Sequence, residues 1–161
     1  MQPITIRIKK GKDGPHSLVC VRADGSMTMQ HQTNGFFPVH DLMHYAVETA
    51  FNYRRGFYGL IADGWNIQDF GAPWPRGPLP ADLDPVEHVV GALSMESANN
   101  EPMNAEKVNW TIATYYAQHS PDIVPPHVAD EPLDRARAEG ARLRQLWFAT
   151  PPGGTIELKF P

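Results

Sequence analysis

The two ends of this chain carry the same pattern, and that constrains the fold more than anything between them. Near the N-terminus Ile4, Ile6 and Ile8 alternate with Thr5, Arg7 and Lys9; near the C-terminus Ile156, Leu158 and Phe160 alternate with Glu157 and Lys159. A period of two is the mark of a strand with one buried face. Two more strands are expected after the first. Gly11 to Gly14 turns the chain into Leu18–Val21, and Asp24 with Gly25 is a hairpin signal leading into Met27–His31. The simplest arrangement is one antiparallel sheet of about four strands, three N-terminal and one C-terminal. Residues 3–9 and 155–160 would share that sheet. Its apolar face needs a cover, and about four helices between the ends are the only material for it. The fold class is therefore α+β, with residues 1–161 read as a single domain.

The helices follow from the 3.6-residue period and from terminal signals. The first is expected over about 39–53, with Pro38 near its start and Leu42, Met43, Ala46, Val47 and Ala50 as its apolar stripe. The second begins at Asp84, Pro85, Val86 and Glu87, which read as cap, first-turn proline and capping-box glutamate. The third covers roughly 105–119 behind an Asn104 cap. The fourth covers about 131–148, with Leu133, Ala136, Gly140, Leu143 and Trp147 inward. The connection 56–81 holds five glycines together with Phe57, Tyr58, Trp65, Phe70 and Trp74. Connections this long are commonly functional or disordered, and the aromatic content argues for order. The segment is read either as a flap beside the first helix or as a plug that completes the core.

Composition narrows the function classes. A net charge of -4 does not fit a nucleic-acid binder, and Arg135, Arg137, Arg142 and Arg144 are interleaved with Asp130, Glu131, Asp134 and Glu139. No run of about eighteen apolar residues is present to cross a bilayer, and the N-terminus lacks the apolar run of a signal peptide. A single cysteine, Cys20, excludes an internal disulfide and lies in an apolar strand. A cytoplasmic location, no nucleic acid and no membrane are the expectations. Nucleotide-binding glycine loops and a serine nucleophile elbow are missing from the sequence.

The sharpest chemical signal is His40 and His44, four residues apart in Phe37–Glu48. Helical spacing turns both imidazoles to one side, and such a pair can offer two nitrogens to zinc or another divalent transition metal. With about 100° per residue, the two lie about 80° and about 120° from the centre of the apolar stripe. That puts both at the border of the buried face, neither of them centrally buried. Glu48 continues the line, yet it is about 12 Å along the axis from His40, too far for one ion to span. Its easier task is to accept the other ring N–H of His44. The third ligand is expected from elsewhere. His119 is the first candidate, ahead of His31, Glu96, Asp63 and Asp69.

The segment His40-Asp41-Leu42-Met43-His44 resembles the His-Glu-x-x-His helix of zinc metallopeptidases over these five residues, and the preceding strands resemble the sheet before that helix. The resemblance implies His40 and His44 as zinc ligands. It sets Asp41, one methylene shorter than the family's glutamate, where the general base would fall. The leading expectation is a metal-dependent hydrolase-like site with His40, His44 and His119 as ligands, Asp41 and Glu48 handling protons or orienting ligands, and a small molecule or peptide as substrate. The alternative is a non-catalytic interaction or structural domain whose exposed aromatics contact a partner, a homo-oligomer being one form of it.

Overall fold

The computed structural model describes residues 2–161. The elements run β1 (Ile4–Lys9), β2 (His16–Val21), β3 (Met27–Gln32), α1 (Phe36–Phe51), α2 (Phe57–Ala62), a 3-10 turn (Ile67–Phe70), α3 (Val86–Asn99), α4 (Ala105–His119), α5 (Asp130–Ala149) and β4 (Thr155–Phe160). The four strands form one sheet in the order β3-β2-β1-β4. All pairs are antiparallel, with Ile6 opposite both Cys20 and Leu158. The chain ends meet because β4 pairs along the whole of β1, from Ile4 with Phe160 to Lys9 with Thr155. Ile4, Ile6, Ile8, Leu18, Cys20, Ile156 and Phe160 form the sheet's buried contribution to the core. The α+β expectation and the shared sheet of the two ends are what the structure shows, with five helices over the sheet rather than four.

The strand β3 buries polar residues and exposes apolar ones. Its methionines, Met27 and Met29, are exposed, and its buried positions are Thr28 and Gln32. Polar groups buried without partners are costly; Thr28 finds one, and Gln32 finds one for its nitrogen but not for its Oε1. Thr28 Oγ1 accepts the Ile67 amide at 3.0 Å, and Gln32 Nε2 donates to the Asp41 carboxylate.

Helix α1 begins at Phe36, earlier than the expected start near residue 39. Pro38 falls at the third helical position, where its missing N–H costs no intrahelical bond. One consequence is that His40 lies past the first turn, where the unpaired backbone amides of a helix start are found. The helix stops at Asn52, whose left-handed φ of 54° ends the spiral. Asn104 caps α4 by accepting the Lys107 amide, as its position predicts. At α3 the capping-box reading fails. Pro85 is the cap residue, and the Asp84 carboxylate accepts the amides of Arg54 and Arg55 at 2.9 and 2.7 Å. That aspartate ties the start of α3 to the end of α1.

Helix α1 is the central helix, packed most extensively on α5 and then on α3. Gly140 of α5 gives Met43 its room: a Cβ there would stand 2.8 Å from the thioether sulfur. The segment after α1 plugs the core in its first half, while residues 72–76 lie exposed. Its first part is α2, unanticipated from the sequence, with Tyr58, Leu60 and Ile61 fully buried. Among the described residues, no helix is long and apolar enough to cross a membrane.

Candidate metal centre

Helix α1 presents His40, His44 and Glu48 on successive turns, and the packing of α3 against α1 brings Glu87 alongside. One ligand atom from each of His40, His44 and Glu87 lies within 4.8 Å of the other two. His44 Nε2 stands 3.4 Å from Glu87 Oε1. The His40 and His44 rings are 4.6 Å apart between centroids and tilted by 59°. Phe36 covers His40 at 5.2 Å, and Phe57 of α2 covers His44 at 5.6 Å. An ion held at about 2.1 Å in tetrahedral geometry needs donor atoms about 3.4 Å apart. The His44–Glu87 edge already has that spacing, and the remaining edges are within a side-chain adjustment of it.

The three groups differ in freedom. His44 is buried, against the border position its helical angle implied, because α2 and α3 close over that side of α1. Glu48 lies behind its ring, with Nδ1 3.6 Å from Glu48 Oε1, just outside hydrogen-bond distance. His40 is three-quarters buried, with Nδ1 3.8 Å from Asp41 Oδ1. Both Nδ1 atoms are buried without a hydrogen-bond partner. Glu87 is three-quarters exposed. Burial by itself pulls the His44 pKa down, but the carboxylates of Glu48 and Glu87 outweigh it, and the imidazole ends above its ordinary value.

Glu48 is also buried, where a solvated helix position would have been the ordinary outcome. Its carboxylate accepts the amides of Tyr58 and Gly59 at 3.2 and 3.0 Å. Gly56 lets it lie there, since a Cβ at that residue would sit 2.6 Å from Glu48 Cδ and 2.7 Å from a Val86 methyl. Glu48 therefore joins α1 to α2 and lies behind His44. Asp41 is likewise committed. Gln32 donates to its carboxylate, and the Tyr58 hydroxyl donates to its carbonyl at 3.1 Å. Asp41 and Glu48, expected to handle protons or orient the ligands, both make hydrogen bonds inside the fold: Gln32 donates to one carboxylate oxygen of Asp41, and the Tyr58 and Gly59 amides donate to Glu48.

His119 does not join the pair. It is exposed at the end of α4, stacked on Tyr115 at 4.3 Å with Nδ1 2.9 Å from the Tyr115 carbonyl oxygen. The weaker candidates are placed elsewhere too. His31 is exposed on β3. Glu96 is bound by Arg137, Asp69 caps the 3-10 turn through the Asn66 amide, and Asp63 is 4.0 Å from Arg55. The third member, Glu87, was absorbed by the capping-box reading. No spacing links residue 87 to residue 44; only helix packing does. Cys20 is an inert core thiol, pushed up to about 12 by burial and then by the charge of Asp41.

No family model matches the chain, and comparison with curated proteins and with solved structures gives no match either. The geometry therefore carries the functional argument alone.

Proposed function

We propose that His40, His44 and Glu87 bind a divalent transition metal, zinc being the best suited, and that the protein is a metal-dependent hydrolase-like enzyme. The observation supporting this is the convergence of the two imidazoles and one carboxylate within 4.8 Å. Two histidines and a glutamate are a donor set of catalytic zinc, which leaves a coordination position open. Such an ion supplies a water that is nucleophilic at neutral pH and polarises a carbonyl or phosphoryl oxygen.

The chain's own residues then have distinct tasks. Glu48 orients the His44 ring and accepts charge from it, as carboxylates behind ligating histidines do. Asp41, held by Gln32, does the same for His40. Phe36 and Phe57 shield the two rings from water. A metal must also displace the proton that Glu48 and Glu87 favour on His44, which makes binding pH-dependent.

Calorimetric titration of zinc into metal-stripped protein tests the reading. One ion per chain is expected. His40→Ala and His44→Ala should each abolish stoichiometric binding. Glu87→Gln should do so too without disturbing the fold, since its side chain is exposed. Glu48→Gln should weaken binding 10- to 100-fold, roughly the effect of losing a partner behind a ligand. Wild-type affinity no better than that of the Glu87→Gln protein would sink the proposal. The interaction-domain reading would then take its place, supported by Trp110 and Met95, which are 70% and 58% exposed on neighbouring helices.

A further inference from the structure

Beside the candidate metal centre, the face of α1, α3 and α5 carries a groove. Its larger part holds about 470 Å³ and is lined by Met43, Leu93, Ser97, Arg137, Arg144 and Phe148, among others. A smaller part of about 180 Å³ continues from it and reaches Phe36 and His40. Met43, Ser97 and Arg144 line both parts, so the two are one channel. It ends at a residue of the His40–His44–Glu87 group.

The charges in the groove are unequal in their commitments. Arg137 is held by Glu96 through Nε at 2.6 Å and Nη2 at 3.1 Å, by Asp134, and by the Met103 carbonyl at 2.8 Å. Glu96 is equally occupied, by Arg137 and by the Met103 amide at 3.0 Å. Arg144 has no such partner. Among the described residues it makes no ion pair; its guanidinium lies 5.7 Å from the Phe148 ring. In a protein of net charge -4 this is an uncompensated cation, placed where the two parts of a half-apolar channel join. Two exposed aromatic rings flank it, Phe36 at 56% and Phe148 at 64% exposure. Guanidinium groups bind carboxylates in a forked, two-bond geometry. Concave sites of several hundred Å³, apolar with a few convergent polar groups, bind small molecules.

We propose that this groove binds a small organic carboxylate with an apolar body, the carboxylate on Arg144 and the body along Met43, Leu93 and the two phenylalanines. That its far end is presented at His40, making such molecules the substrate class, rests on the metal reading above; the binding itself does not.

The probe is 4-phenylbutyrate, compared with its neutral amide, titrated into ¹⁵N-labelled protein and followed by NMR. Saturable shifts of Ser97 and Met43 amides are expected, with the acid binding at least 10-fold tighter than the amide. Arg144→Gln should erase that difference, and Arg144→Lys should restore part of it. Ser97→Trp, at an exposed position, should block both probes. Zinc stoichiometry should be unchanged in Arg144→Gln, and phenylbutyrate affinity unchanged in Glu87→Gln. A failed metal reading would thus leave the groove result standing, and the reverse. Equal affinity for acid and amide, unchanged affinity in Arg144→Gln, or no saturation at millimolar probe would each overturn the proposal.

Discussion

At the scale of single residues, the interior of α1 is unusual for its charge. Asp41, His44 and Glu48 are all buried; the two carboxylates accept hydrogen bonds that a helix alone cannot supply, while His44 Nδ1 is left without a partner. Glu48 illustrates the energetics. A buried carboxylate is tolerated when charge-assisted hydrogen bonds replace its water, each contributing about 1.5–3 kcal/mol. Glu48→Gln keeps one acceptor oxygen but loses the charge and one of the two amide bonds from Tyr58 and Gly59. Urea denaturation should show a loss of about 2 kcal/mol. An unchanged midpoint would mean that the carboxylate does not hold α2 in place. The histidine pair was legible in the sequence because i and i+4 is a local relation. The burial of His44 and Glu48 was not, because it depends on α2 and α3, which meet α1 only after the chain has folded over it.

At the scale of elements, legibility followed period and punctuation. Helix α4 matched its expected bounds, although Tyr115 and His119 on it are exposed; α5 read cleanly from its stripe, and all five residues expected to face inward on it are buried. The helix α2 did not, since six residues flanked and interrupted by Gly56 and Gly59 carry too little periodicity. Its glycines serve packing instead: a Cβ on Gly59 would stand 2.2 Å from the Arg54 carbonyl oxygen. Asp84 was misread because a carboxylate before a proline caps a helix in sequence terms, and here two amides of the preceding loop compete for it. Between α3 and α5 the Glu96–Arg137 pair is the polar tie. Burial pushes the Glu96 pKa up, but the Arg137 guanidinium and the Met103 amide prevail, leaving it below the ordinary 4.5. A carboxylate depressed in the folded state stabilises the fold above its unfolded pKa, and that contribution is lost as pH falls through the folded value. Thermal melts should therefore find the wild type more stable than Glu96→Gln at pH 7, with the gap narrowing below about pH 4.5. A gap that stays constant down to pH 3 would contradict this assignment.

At the scale of the whole molecule, the closing element is the last one made. The strand β4 is an edge strand, yet it pairs with all six residues of β1 and contributes Phe160, fully buried, and Ile156 at 5% exposure. Its neighbours bind it from the helical side as well. The Tyr45 hydroxyl donates to the Lys159 carbonyl at 3.1 Å, and the Tyr58 ring lies 5.9 Å from that of Phe160. Tyr58 is also the residue whose amide binds Glu48 and whose hydroxyl binds Asp41. The C-terminal strand thus backs the residues that support the histidine pair, although it lies more than a hundred residues away in sequence. Full burial of a large apolar side chain contributes about 1.5–3 kcal/mol, so Ile156 and Phe160 together supply roughly 3–6 kcal/mol, before any loss of ladder hydrogen bonds. A domain's net stability is only about 5–15 kcal/mol. Removing residues 155–161 should therefore abolish the cooperative thermal transition seen by circular dichroism. Phe160→Ala, at a cost of about 3–5 kcal/mol, should lower its midpoint while keeping it cooperative. A truncated chain that still melts cooperatively near the wild-type midpoint would mean the sheet closes without β4, and that the matched alternation of the two ends is not what holds this fold together.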